Sequence, residues 1–185
     1  MLHLSTQEVV LSIEKSPVEN LNGMVYQEYI NFFGKDLNIT IKEGASFVKL
    51  EGQEQLPRVR LDYKDILIKK LKVFFMNNKI TKELEKKFKT ELSFASVDIW
   101  MDNKGYFLEP HTDDKRIKLA LQIYLTNDNV GTSLMTSHSS KATILKTFEF
   151  KSNCGYALLN NDVSFHGLES PVEHNGRISV YVRYI

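Results

Sequence analysis

The second half of the chain is a series of short β-prone runs, each closed by turn residues, and this pattern constrains the fold more than any other feature. Residues 94–100 form the first run, followed by Asp102-Asn103-Lys104-Gly105. Residues 119–125, 147–150, 155–159 and 178–185 repeat the arrangement, and Asn175-Gly176 marks a turn that predicts a hairpin into the last run. Several short strands at near-regular spacing imply a sandwich or barrel.

The first half is mixed. Val9, Leu11 and Ile13 alternate with polar neighbours, which predicts a short strand. Ser16-Pro17-Val18-Glu19 has the form of a helix start, and Val18, Leu21, Val25, Tyr29 and Phe32 follow at helical spacing. Two more helices are predicted over 62–75 and 81–89, the lysines of the latter forming a solvated face. The sum is a mostly β chain with supporting α structure. We expect a double-stranded β-helix, or jelly roll, with N-terminal helices packed on one sheet. Residues 1–185 form one domain, in which about 1–90 support a core of about 91–185.

Composition narrows the function classes. A chain of 185 residues suits one domain. It hides roughly 70% of its unfolded surface, enough for a core without cross-links. The formal net charge of +1 lacks the basic excess of a dedicated nucleic-acid binder. Cys154 is the only cysteine, so no intramolecular disulfide forms, which fits a reducing compartment. No apolar run approaches the ~20 residues of a membrane helix, and no secretory leader is evident. A soluble, cytoplasmic protein is expected.

The chemistry concentrates in Glu109-Pro110-His111-Thr112-Asp113. On a strand, residues i and i+2 share a face, so His111 and Asp113 can reach one metal ion together. His166 follows 55 residues later, in Val163-Ser164-Phe165-His166-Gly167, and a jelly roll brings such distant residues together. Two imidazoles and one carboxylate leave three octahedral positions open, the facial triad of non-haem Fe(II) oxygenases. A fourth residue, Arg177, stands eleven positions after His166 in an apolar β run. An arginine in a core requires an anionic partner, and its planar fork suits a carboxylate. Ser179 shares its face and can donate a further hydrogen bond. A protein carboxylate beside Arg177 is the competing account.

Taken in order, His111-x-Asp113, His166 and Arg177-x-Ser179 resemble the Fe(II)/2-oxoglutarate-dependent oxygenases, in particular their prolyl-hydroxylase-like branch. Gly105-Tyr106, the run Leu121-Gln122-Ile123-Tyr124-Leu125-Thr126, Gly131-Thr132 and the stretch 160–167 match that branch as well. The likeness begins near Val97 and runs to the C-terminus, while the first ninety residues resemble nothing we can name.

The resemblance implies that His111, Asp113 and His166 bind Fe(II). It implies that 2-oxoglutarate chelates the iron and meets Arg177 through its distal carboxylate, with Tyr124 against the same group and Gln122 lining the pocket. O2 is the second cosubstrate, and decarboxylation to succinate accompanies hydroxylation of an acceptor, either a peptidyl residue such as proline or a small metabolite. An ordinary core aromatic is the competing account of Tyr124. Arg183 and Trp100 would line the substrate side, or form an edge salt bridge and plain core. His138 and His174 read as loop residues, His3 as terminal, and Asp114 has the wrong parity for the metal. Phe107 would sit at the rim. Asp98 is either solvated or inward-facing with a partner. Two other functions compete: a non-catalytic jelly-roll binding module, and a cupin metalloenzyme that does not use 2-oxoglutarate. Oligomeric state and acceptor are not encoded legibly.

Overall fold

Two antiparallel sheets face each other, and the larger is backed by helices. A computed structural model describes residues 6–34, 45–52 and 55–185; His3 lies outside them. In chain order the elements are α1 (Thr6–Lys15), β1 (Glu19–Leu21), β2 (Met24–Ile30), β3 (Phe47–Val48), β4 (Arg58–Leu61), α2 (Ile66–Phe75), α3 (Asn78–Phe88), β5 (Phe94–Asp102), β6 (Leu119–Tyr124), β7 (Thr132–Met135), β8 (Ile144–Phe148), β9 (Cys154–Leu159), β10 (His166–Leu168) and β11 (Arg177–Tyr184). The larger sheet runs β1-β2-β9-β6-β11-β5-β4-β3, and the smaller β10-β7-β8. This is the mostly β jelly roll with three supporting helices that the pattern predicts.

Strand parity explains why β6 and β11 read as continuous apolar runs. Both faces of these central strands are covered. Leu119, Leu121 and Ile123 of β6, with Val180, Val182 and Tyr184 of β11, point toward the helices and join one core cluster. That cluster includes Leu71 and Phe75 of α2 and Ile80 and Leu84 of α3. A second cluster fills the space between the sheets, with Tyr124, Tyr156 and Leu158 of the larger sheet against Leu134 and Phe148 of the smaller. Among the described residues, no helix is long and apolar enough to cross a membrane.

The N-terminal expectations need correction. Val9, Leu11 and Ile13 lie in helix α1, not a strand. Val9, Val10 and Ile13 form its buried stripe, while Leu11 is 44% exposed. That i, i+1, i+4 set is a helix face, and the alternation was incidental to it. The predicted helix from Ser16 is the β1–β2 hairpin. Leu21 pairs with Met24 across Asn22-Gly23, both at positive φ (54° and 85°). This dipeptide is a two-residue turn signal, and it outweighs the accidental helical spacing of Val18, Leu21 and Val25.

The other helices begin at their caps. Asp65 accepts from the Leu67 amide, so α2 starts at Ile66 instead of Asp62. Asn77 accepts from the Lys79 amide, so α3 starts three residues before Thr81. The chain does bend before Gly176, which stands at φ 88°. It does not close a hairpin, because β10 and β11 belong to different sheets. The run at 147–150 is strand β8, displaced to Ile144–Phe148 by its pairing with β7.

Candidate metal centre and cavity

His111 and His166 are direct cross-strand partners. The His111 amide donates to the His166 carbonyl at 3.0 Å, and the His166 amide returns the bond at 2.9 Å. Residues that exchange both bonds present their side chains on the same face. Gly167 makes this pairing possible. A Cβ there would lie 2.7 Å from the Leu108 carbonyl oxygen and 3.0 Å from the Pro110 nitrogen, so only glycine lets the 108–111 segment lie against β10. Asn160 secures the other side of the loop. Its amide donates to the carbonyls of Asp113, Asp114 and Ile117, and its oxygen accepts from Ser164 Oγ.

The two imidazoles are oriented alike. His111 Nδ1 donates to the Glu109 carbonyl at 2.9 Å, and His166 Nδ1 to the Ser164 carbonyl at 3.0 Å. A carbonyl only accepts, so each Nδ1 carries the proton and each Nε2 presents a lone pair. Each Nε2 lies 3.9 Å from Asp113 Oδ1, and the three ligand atoms all fall within 4.8 Å of one another. Burial lowers the pKa of His166, against the opposing pull of Asp113, and favours the neutral imidazole that a metal requires. Two neutral imidazoles and one carboxylate form a donor set that fits a divalent iron ion, with three positions left for other ligands.

The triad opens onto a cavity of about 190 Å³ whose wall is the inner face of the larger sheet. Gln122, Arg177, Arg183 and Trp100 line it, as do His111, Asp113 and His166. Tyr124 and Ser179 share those strand faces and are fully buried. Gln122 is tied at three points: its Oε1 accepts from Thr132 and Tyr156, and its Nε2 donates to Ser179 Oγ. Burial pushes the Tyr124 hydroxyl up to about 12, so it stays protonated, against the opposing pull of Thr132 within hydrogen-bonding reach and of the nearby Arg177 charge.

Four residues escaped the sequence reading. Arg58 and Asp102 are the most consequential. Arg177 is buried and pairs with Asp102 (2.5 Å), which also binds Arg58 Nε (2.5 Å). The Arg177 guanidinium stacks on Phe150 at 4.0 Å, and Arg58 lies over the rings of Tyr106 (4.2 Å) and Trp100 (4.7 Å). Arg177 Nε donates to the Val130 carbonyl, but its Nη2 is buried without a partner among the described residues, and the Tyr124 hydroxyl is buried without a well-formed hydrogen bond. The protein carboxylate that competed for Arg177 is therefore present, and one arm of the fork remains open beyond it.

The third is Tyr181, whose phenol hydrogen-bonds Asp113; burial and that carboxylate together hold its pKa far above the ordinary value. Its parity with Arg177, Ser179 and Arg183 was a visible signal. The fourth is Arg60, which joins Arg183 on Asp98 (3.3 and 2.6 Å). Asp98 is thus inward-facing, with two partners.

The remaining residues stay peripheral. Asp114 is exposed and bound to Arg116, which lowers its pKa strongly. His174 is exposed. His138 and Phe107 line a second cavity of about 330 Å³ beside Glu109 and Pro110.

No protein-family model and no curated protein matches the sequence. Solved structures do match the fold. A prolyl 4-hydroxylase from Phytophthora capsici aligns over 100% of this chain and 66% of its own, with TM-score 0.57 and 12% identity. A prolyl hydroxylase from Trichoplax adhaerens, solved in complex with a hypoxia inducible factor oxygen degradation domain peptide fragment, aligns over 97% and 88%, with TM-score 0.54 and 10% identity. AviO1 from Streptomyces viridochromogenes Tue57 aligns over 100% and 96%, with TM-score 0.51 and 9% identity. Identities this low speak for architecture alone. The fold of this chain is that of the prolyl-hydroxylase-like 2-oxoglutarate and Fe(II) oxygenases.

Proposed function

We propose that the protein is an Fe(II)- and 2-oxoglutarate-dependent dioxygenase that hydroxylates an acceptor, either a peptidyl residue such as proline or a small metabolite. The observation that carries this reading is the buried donor Arg177 Nη2, which has no partner among the described residues. A buried donor without an acceptor costs about 1–3 kcal/mol. Arg58 and Arg177 also share the single carboxylate of Asp102, which leaves this buried group one positive charge in excess. The missing component is an anion that accepts hydrogen bonds, and the distal carboxylate of 2-oxoglutarate is one.

In this reading His111, Asp113 and His166 hold Fe(II). The iron, when bound, supplies the redox chemistry that splits O2 between the two organic partners, giving succinate, CO2 and a hydroxylated acceptor. The protein contributes orientation. Arg177 and Tyr124 bind one end of the cosubstrate, Asp102 fixes the arginine fork, and Tyr181 fixes the Asp113 carboxylate. A cupin enzyme without this cosubstrate has no use for the open Arg177 donor, and a degenerate binding module would not retain the whole set.

The test is anaerobic. Adding Fe(II) and 2-oxoglutarate should produce the weak visible charge-transfer band of a chelated keto acid. His166→Ala should abolish both the band and succinate release in air. Arg177→Ala should keep metal binding and weaken 2-oxoglutarate by one to two orders of magnitude, as the loss of one charge-assisted hydrogen bond of about 1.5–3 kcal/mol implies. Absence of the band in the parent protein overturns the reading.

A further inference from the structure

The inner face of the larger sheet carries two arginine–aspartate–arginine groups, and cosubstrate binding accounts for only one. On β5, Asp102 sits between Arg58 of β4 and Arg177 of β11. Four residues earlier on the same face, Asp98 sits between Arg60 of β4 and Arg183 of β11. Trp100 stands between the two aspartates. Four guanidinium groups face two carboxylates, leaving two positive charges on this wall. The proposed distal carboxylate of 2-oxoglutarate meets one of them, at Arg177. Asp113 and the cosubstrate's other carboxylate neutralise a divalent ion and so add no anion for the second.

The second positive charge belongs to the outer group, and its donors are not all engaged. Arg183 uses Nε on Ser96 (2.7 Å) and Nη2 on Asp98 (2.6 Å). Its Nη1 has no partner among the described residues, and the side chain, 34% exposed, lines the cavity. Arg60 Nε is buried without a partner. Position along β11 separates the two groups. Tyr181 touches Asp113 and so marks the level of the metal. At about 3.4 Å per residue, Arg177 lies about 14 Å to one side of Tyr181 and Arg183 about 7 Å to the other. Arg183 is therefore on the far side of the metal from the cosubstrate arginine. A cavity of about 190 Å³ is also below the 300–1,000 Å³ usual for drug-sized ligands.

We propose that the acceptor is a small molecule bearing an anionic group, a carboxylate or a phosphate, and that Arg183, held by Asp98, grips that group across the metal from Arg177. Arg183 is then the residue that selects the substrate, with Trp100 as the flat wall beside it. The proposal rests on the 2-oxoglutarate reading given above.

The test uses the anaerobic Fe(II)·2-oxoglutarate complex of the whole protein and follows its visible band. Three probes are titrated: methyl phosphate, N-acetylglycine and the uncharged N-acetylglycinamide. At least one anion should perturb the band while 2-oxoglutarate stays bound, and the amide should not. Response to methyl phosphate alone identifies a phosphorylated acceptor, and response to N-acetylglycine alone a carboxylate. Arg183→Gln should weaken the responding anion tenfold or more without changing the 2-oxoglutarate titration. Arg183→Lys should restore most of the binding, which a merely structural role of the Asp98 pair would not predict. An equal response to the amide is the behaviour of a peptide acceptor and overturns the proposal. So does a band that no anion perturbs, or one perturbed equally in Arg183→Gln. Failure to form the band in the parent overturns the underlying reading and this proposal with it.

Discussion

On the helix side of β11 stand Val180, Val182 and Tyr184, all fully buried; on the other side of the same strand stand Arg177, Ser179, Tyr181 and Arg183. Strand β6 repeats the division, with Leu119, Leu121 and Ile123 against Ala120, Gln122 and Tyr124. The helix face closes its polar accounts: the Tyr184 hydroxyl donates to the Phe75 carbonyl, and the Tyr29 hydroxyl donates to Gln27. The cavity face does not. The three buried side-chain polar atoms without a well-formed hydrogen bond among the described residues, on Arg60, Tyr124 and Arg177, all belong to it. The helix face is satisfied from within, whereas the cavity face leaves donors open.

The largest effect should come from breaking the charge balance of the cavity face. Asp102→Asn leaves Arg58 and Arg177 without their shared carboxylate. Removing one partner of a buried ion pair costs about 3–5 kcal/mol. Urea unfolding should show a loss of that size. A loss below about 1 kcal/mol would mean that water reaches the arginines and that the wall carries no buried excess charge.

The helix face breaks differently. Leu121 is fully buried on β6 against the helices. Leu121→Ala should cost about 2–5 kcal/mol through lost burial and the cavity left behind. Its folded fraction should still bind 2-oxoglutarate with the parent's affinity, read from the anaerobic band. An altered affinity would show that the two faces are mechanically coupled through the strand.

The same division governs what the sequence disclosed. β-prone runs and turn residues gave five of the seven strands from β5 onward, but not β7 (Thr132–Met135) or β10 (His166–Leu168), which are too short to show a pattern of their own; Met135 of β7 reads as loop in the sequence. His111, Asp113 and His166 were legible as residue types, although their meeting depends on Gly167 and Asn160, whose parts emerge only from backbone geometry. Arg58 and Asp102 were not legible. They are 44 residues apart, Asp102 and Arg177 are 75 apart, and no local period reports such contacts. The region before β5 was misread where short apolar spacings fitted both periods. There the Asn22-Gly23 turn was the better guide than the apolar positions around it.

The finest test of the comparison is Tyr124→Phe. On an ordinary buried face, removing a hydroxyl breaks a hydrogen bond and destabilises the fold by about 1 kcal/mol. Here the hydroxyl is buried without a well-formed hydrogen bond, Thr132 being its one neighbour in reach among the described residues and already donating to Gln122. Its removal should leave stability unchanged or raise it slightly, because the folded state no longer holds a poorly satisfied donor. The cost should appear only on binding, as a loss of about 0.5–1.5 kcal/mol, or roughly two- to tenfold, in 2-oxoglutarate affinity. Paired melting and cosubstrate titration separate these outcomes. A variant that loses stability but keeps its affinity would assign Tyr124 to the packing between the sheets, where its ring already lies 4.0 Å from that of Phe150. A variant that keeps stability and loses affinity would place its hydroxyl beside Arg177 on the carboxylate of the cosubstrate.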